Sequence, residues 1–217
     1  MKRHLWEATG IEVEYMIVDI GDLAPKPIAD ELLKCLGGLW VNELKHAGLG
    51  WSNELAAHVI ELKTLEPVAD LGALSQRLSA EVRTINGLLA PYGACLLPSG
   101  MHPLFVPATG LRLWSRGDTR IYQAYDRIFG CRTHGFGNLQ SVHINLPFSG
   151  DAEFGRLHAA VRLALPLIPC LAASSPLIEG YLSGFADTRL EVYRQNQSRL
   201  PLIAGALIPE PAATKAM

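Results

Sequence analysis

The sequence predicts an α+β protein. Strand-like alternation of apolar and polar residues recurs at 10–19, 58–64 and 141–146, and a short apolar run at 94–97 adds another strand, in distant parts of the chain. Two long stretches, 69–92 and 151–173, read as helices. Hydrophobic residues make up 49% of the 217 and charged residues 18%, a balance that supports a buried core rather than disorder. Strands gathered from separate segments, with two long helices able to cover one sheet face, leave the other face for polar side chains.

The first strand is Gly10 to Asp19. Ile11, Val13, Tyr15 and Ile17 fall on one face, and Glu12 and Glu14 share the other. Gly21 to Pro27 is a turn-rich connection. Ala29 to Leu36 reads as a short helix stopped by Gly37-Gly38. Residues 39–50 carry no clear periodicity. In the next strand His58, Ile60 and Leu62 oppose Val59, Glu61 and Lys63. Ala69 to Tyr92 is the clearest helix, with Leu71, Leu74, Leu78, Val82, Ile85 and Leu89 at three- and four-residue steps. Ala94 to Leu97 is a strand, and Pro98 to Pro103 is its exposed exit. An arginine- and tyrosine-bearing element follows at 117–131. In the last strand Val142, Ile144 and Leu146 face one way, and Ser141, His143 and Asn145 the other. The helix at 151–173 is expected to bend at Pro166. No repeat or linker divides the chain, so 1–208 is expected to be one domain and 209–217 a tail.

Several function classes are excluded or disfavoured. A net charge of −2 and the lack of a basic run give no attraction to nucleic acid. Cys35, Cys95, Cys131 and Cys170 are scattered without a CxxC, which argues against structural zinc or a disulfide framework and for thiols in a reducing compartment. The first 15 residues hold no apolar signal core, so a cytoplasmic location is expected. Leu163 to Ile178 is apolar but short for a membrane span and contains three prolines, so it reads as a buried, bent helix. There is no GxxxxGK[ST] and no GxSxG, and Gly135-Phe136-Gly137 lacks the third glycine of a dinucleotide fingerprint.

Glu12, Glu14, Glu61 and His143 are the strand-borne candidates for chemistry. A carboxylate pair on one strand suits either a solvated sheet face or one or two hard cations. If the strands share a sheet, three carboxylates and an imidazole suit Mg²⁺ or Mn²⁺. The arginines Arg116, Arg120, Arg127, Arg132, Arg189, Arg194 and Arg199 are ordinary surface charges or two-pronged grips for carboxylate and phosphate. Arg189 stands out because it follows a tight Ser/Gly segment. Acidic metal ligands with arginines fit a phosphoryl-bearing substrate such as ATP with magnesium.

Gly10-Ile11-Glu12-Val13-Glu14, the segment from Glu54-Leu55 to Glu61-Leu62-Lys63-Thr64, and Gly100-Met101-His102-Pro103 carry a resemblance. So do Ser141-Val142-His143-Ile144-Asn145, Leu171 to Pro176, Gly180 and Ser183 to Arg189. In order and spacing, from residue 10 to about 210, they resemble the second bacterial type of glutamate–cysteine ligase, including the YbdK-like carboxylate–amine ligases. The resemblance implies a curved, largely antiparallel sheet with helices outside and an open cavity within, as in glutamine synthetase catalytic domains. It implies Glu12, Glu14, Glu61 and His143 as magnesium ligands that hold ATP, with Glu61 and Arg189 at the reacting centre and Arg189 on phosphate or substrate. The implied reaction joins a small carboxylate to an amine through an acyl phosphate. Members of that family continue for something like another 150 residues. A homo-oligomer, or a separate chain that supplies the remaining part, is therefore expected. The alternatives are a non-catalytic nucleotide- and metal-binding or regulatory protein, one half of a split ligase and, last, a metal-dependent hydrolase.

Overall fold

A computed structural model describes residues 2–204 and Pro211. Six strands form one antiparallel sheet: β1 (Gly10–Asp19), β2 (Glu43–His46), β3 (Leu49–Asn53), β4 (Val59–Thr64), β5 (Ala94–Leu97) and β6 (Val142–Asn145). Their order is β2-β3-β4-β1, after which β1 takes two partners on its other edge. Residues 16–19 pair with β5 and residues 10–13 pair with β6. The longest strand is thus the centre of the sheet.

The helices are α1 (Ala29–Gly37), α2 (Leu71–Leu89), α3 (Pro107–Gly110), α4 (Arg120–Phe129), α5 (His134–Gly137), α6 (Gly150–Ala164), α7 (Ile168–Ala172), α8 (Thr188–Gln195) and α9 (Pro201–Ala204). A small hairpin joins β7 (Leu177–Ile178) to β8 (Tyr181–Leu182). The tail expected at 209–217 lies outside the described residues, Pro211 excepted.

Local chemistry sets the main boundaries. Asp70 caps α2 by accepting the Ala73 N–H at 2.9 Å. α1 ends where Gly38 takes a left-handed φ of 68° and its N–H reaches the Lys34 carbonyl at 2.9 Å. The stretch without periodicity, 39–50, holds β2 and the first two residues of β3. They are joined by the two-residue turn Ala47-Gly48, both at positive φ.

The β1 face that carries Tyr15 and Ile17 packs under α1 and α2. Leu32 and Leu33 of α1 and Ile85 and Leu89 of α2 bury against Ile17, Trp51, Ile60 and Leu62. On the opposite face the two ends of β1 differ. Met16 and Val18 are covered with Val59 by Ala56, Phe105 and Leu111. Glu12 and Glu14 are left beyond that cover, on the same face.

The stretch 151–173 is not one helix. Neither Pro166 nor Pro169 can donate an N–H, and α6 and α7 separate there. The reading of Leu163–Ile178 as a buried helix is corrected as well. Leu163 is 79% exposed and Leu171 86%, because no described element packs over them. The cover of the sheet comes from α1 and α2; α6 buries no residue. Val142 and Ile144 share the helix-side face of the sheet, yet stay exposed because β6 extends past α2. No described helix is long and apolar enough to cross a membrane.

Candidate metal and nucleotide site

Strand register assembles the site. In β1 and β4, Glu14 stands opposite Glu61 and Glu12 opposite Lys63. Across the other edge of β1, Glu12 stands opposite His143. Ser52 of β3 stands opposite Glu61. Antiparallel partners share a face, so four strands deliver these side chains to one patch.

Two groups of potential ligand atoms result, each within 4.8 Å of one another. Glu12, Glu61 and His143 form the first, and Glu14, Glu54 and Glu61 the second. Glu61 belongs to both. The structure therefore unites all four strand-borne candidates and adds Glu54, which follows β3 directly.

Glu12, Glu14, Glu61 and His143 are each held by a neighbour. Ser52 Oγ donates to Glu61 Oε2 at 2.8 Å, and Lys63 Nζ lies 3.4 Å from the same oxygen. Asn145 Nδ2 donates to Glu12 Oε1 at 2.9 Å, and His143 Nδ1 lies 3.0 Å from Glu12 Oε2. The Ser141 backbone N–H donates to Glu14 Oε2 at 2.9 Å. Such supports orient ligands before any ion arrives.

The charges are not balanced. Glu12, Glu14, Glu54 and Glu61 converge, while Lys63 is the one lysine ion-paired to the cluster among the described residues. Burial pushes the Glu54 carboxyl up to about 7, and the nearby Glu14 and Glu61 carboxylates add to the shift. Burial also raises Glu14, partly offset by the Ser141 N–H. Burial alone would lower the Lys63 ammonium, but Glu61 and Glu43 outweigh it and raise it. Glu14 and Glu54 thus resist ionisation, and a cation placed among the carboxylates would offset that. The donor set of oxygens with one imidazole fits magnesium or manganese.

Beside this patch lies a cavity of about 500 Å³ lined by Glu14, Ser99, Gly100, Gln140, Ser141 and Arg189, among others. It occupies the seam where β5 has left β1 and β6 has yet to join it. Arg189 packs so closely over Gly100 that a Cβ there would fall 2.2 Å from Nη1. Its Nε donates to Asp187 Oδ1 at 3.1 Å and its Nη2 to the Ala172 carbonyl at 2.9 Å.

The other arginines singled out from the sequence do not line this cavity. Arg116 bonds Asp30 and stacks on Trp40, Arg120 pairs with Asp118, and Arg194 pairs with Glu191. Arg132 donates to the Leu111 carbonyl.

The model of the family described as Glutamate-cysteine ligase family 2 matches residues 8–210, a span that holds every residue of both ligand groups. The chain belongs to this family. Relatives include an uncharacterized protein of Archaeoglobus fulgidus, 41% identical over 93% of this chain and 54% of its own length. A provisionally named glutamate–cysteine ligase 2 of Cupriavidus metallidurans is 30% identical over 83% of this chain and 45% of its own. The chain thus spans about half the length of the curated relatives it matches. In fold it is similar to a glutamate–cysteine ligase of Francisella tularensis crystallised with AMP, with a TM-score of 0.54 at 17% identity. That match covers 83% of this chain and 37% of the other.

Proposed function

We propose that this chain carries the metal- and nucleotide-holding part of an ATP-dependent carboxylate–amine ligase. The observation that supports it is the pair of carboxylate groups sharing Glu61 on the open end of the sheet. Family membership and an AMP-bound structural neighbour agree with it.

In this reading Glu12, Glu14, Glu54, Glu61 and His143 would hold magnesium. When bound, the ion supplies positive charge to the phosphate oxygens of ATP. Ser52, Asn145 and the Ser141 N–H keep the carboxylates aimed. Arg189 places a guanidinium in the adjoining cavity for a carboxylate or phosphate. The substrate carboxylate attacks the γ-phosphorus and ADP leaves, which gives an acyl phosphate. The amine then attacks the acyl carbon, loses a proton and expels phosphate. The chain contributes position and charge, and no covalent enzyme intermediate is needed.

ADP release measured with Mg²⁺, ATP and L-glutamate, with and without a panel of amines led by cysteine, tests the proposal. Release that requires both the carboxylate and an amine is expected. Magnesium-dependent ATP binding with no release under any pairing would leave a binding protein instead.

A further inference from the structure

Gln140 is 5% exposed, and neither Oε1 nor Nε2 of its amide has a hydrogen-bond partner among the described residues. Its backbone is fixed, with its N–H donating to the Gly100 carbonyl at 3.0 Å. Buried polar groups in folded proteins are nearly always paired, and an unpaired one calls for a reason. A methionine of similar length would fill the same space without that desolvation cost.

The position suggests the reason. Gln140 lines the 500 Å³ cavity beside Glu14 and also a second cavity of about 220 Å³ that reaches Tyr193. Ser141, Ile168, Ala172 and Arg189 line both. Two of these belong to α7, which is a thin partition. It has five residues and contains Pro169, and its Leu171 is 86% exposed. Among the described residues, the bond that ties α7 to the cavity is Arg189 Nη2 to the Ala172 carbonyl.

We propose that Gln140 is a specificity-determining residue for a ligand that bears an ammonium beside a carboxylate, as an α-amino acid does. Arg189 and α7 control access to it. The ligand carboxylate draws Arg189 Nη2 from the Ala172 carbonyl, α7 is released, and the sealed amide opens. Gln140 Nε2 then donates to the carboxylate and Oε1 accepts from the ammonium. The inference rests on the ligase reading and adds to it the residue that reads the amino group.

The test is calorimetric titration of the full chain, in Mg²⁺, with L-glutamate and with glutarate, its analogue without the amine. Wild type is expected to bind glutamate at least about tenfold more tightly than glutarate, the discrimination of a polar contact left unpaired by the analogue. Gln140→Met is expected to lose that preference and to melt about 2 °C or more higher in the absence of ligand, since an unpaired buried amide is gone. A structural glutamine would behave the opposite way, with a lower melting temperature and an unchanged ratio. Equal binding of the two ligands by wild type, binding of neither, or a ratio preserved in Gln140→Met would overturn the proposal. A parallel titration with Mg²⁺ and ATP reports separately on the ligase reading.

Discussion

The carboxylate patch should make stability depend on pH and on magnesium in a linked way, and Glu54 is where to measure it. In the metal-free protein its carboxyl is raised from 4.5 to about 7, first by burial and then by Glu14 and Glu61. The folded state therefore keeps a proton that the unfolded chain releases near 4.5. That contribution to stability is complete below about 4.5 and is lost as pH rises through about 7. At about 1.4 kcal/mol per pH unit the interval amounts to about 3 kcal/mol, and partial solvent access reduces it to about 2. Glu54→Gln cannot ionise, so it escapes the loss. Melting curves in EDTA should coincide for the two proteins near pH 4.5 and separate above pH 7, with the variant about 4–8 °C higher. Magnesium should reverse the order. At one hundred times its dissociation constant it adds about 2.7 kcal/mol to wild type, and it should add much less to a variant that lacks one of the converging carboxylates. Parallel pH curves, or equal magnesium stabilisation of both proteins, would refute the reasoning.

Other positions give independent checks. Glu61→Gln removes the carboxylate common to both ligand groups and should weaken magnesium at least about tenfold in calorimetry, with the far-ultraviolet dichroism of the fold retained. Gly100→Ala puts a methyl group 2.2 Å from Arg189 Nη1, so the guanidinium must move. Amino acid affinity should drop while magnesium affinity holds, as read by titration of each. Glu81 is buried and accepts from Trp51 Nε1 at 3.0 Å, with His46 Nδ1 at 2.6 Å. Glu81→Ala leaves the indole N–H unpaired beside a void and should cost about 2–4 kcal/mol in urea denaturation, without change in metal binding.

Much of the fold was legible because it follows from local rules. The alternation at 10–19 and 141–146 matches β1 and β6 closely, the apolar run at 94–97 matches β5, and the leucine spacing of 71–89 matches α2. The hairpin of β2 and β3 was hidden for an equally local reason. Its turn is Ala47-Gly48 rather than an asparagine–glycine or aspartate–glycine pair, and β3 is buried at all five residues, so no polar alternation marks it. The stretch 163–178 misled because hydropathy reports composition, whereas burial needs a partner. Leu163, Leu167 and Leu171 are exposed.

The site shows the same division. Glu12, Glu14, Glu61 and His143 could be picked out as candidates because each sits in a strand whose alternation declares its face, and the register brings them to one patch. Glu54 was named only within the resembling segment and not as a ligand, although it continues the parity of Ser52 by two positions. Without β3 in hand there was no strand from which to count. Gln140 could not be found by counting at all. It precedes β6, and nothing in Asn138-Leu139-Gln140-Ser141 announces that its amide is sealed without a partner. Residues that bind through shared regular structure leave a periodic trace in the sequence. Residues whose role depends on a void between segments leave none, since a void is a property of packing. The charge-bearing half of this site belongs to the first kind, and the half proposed to choose the substrate belongs to the second.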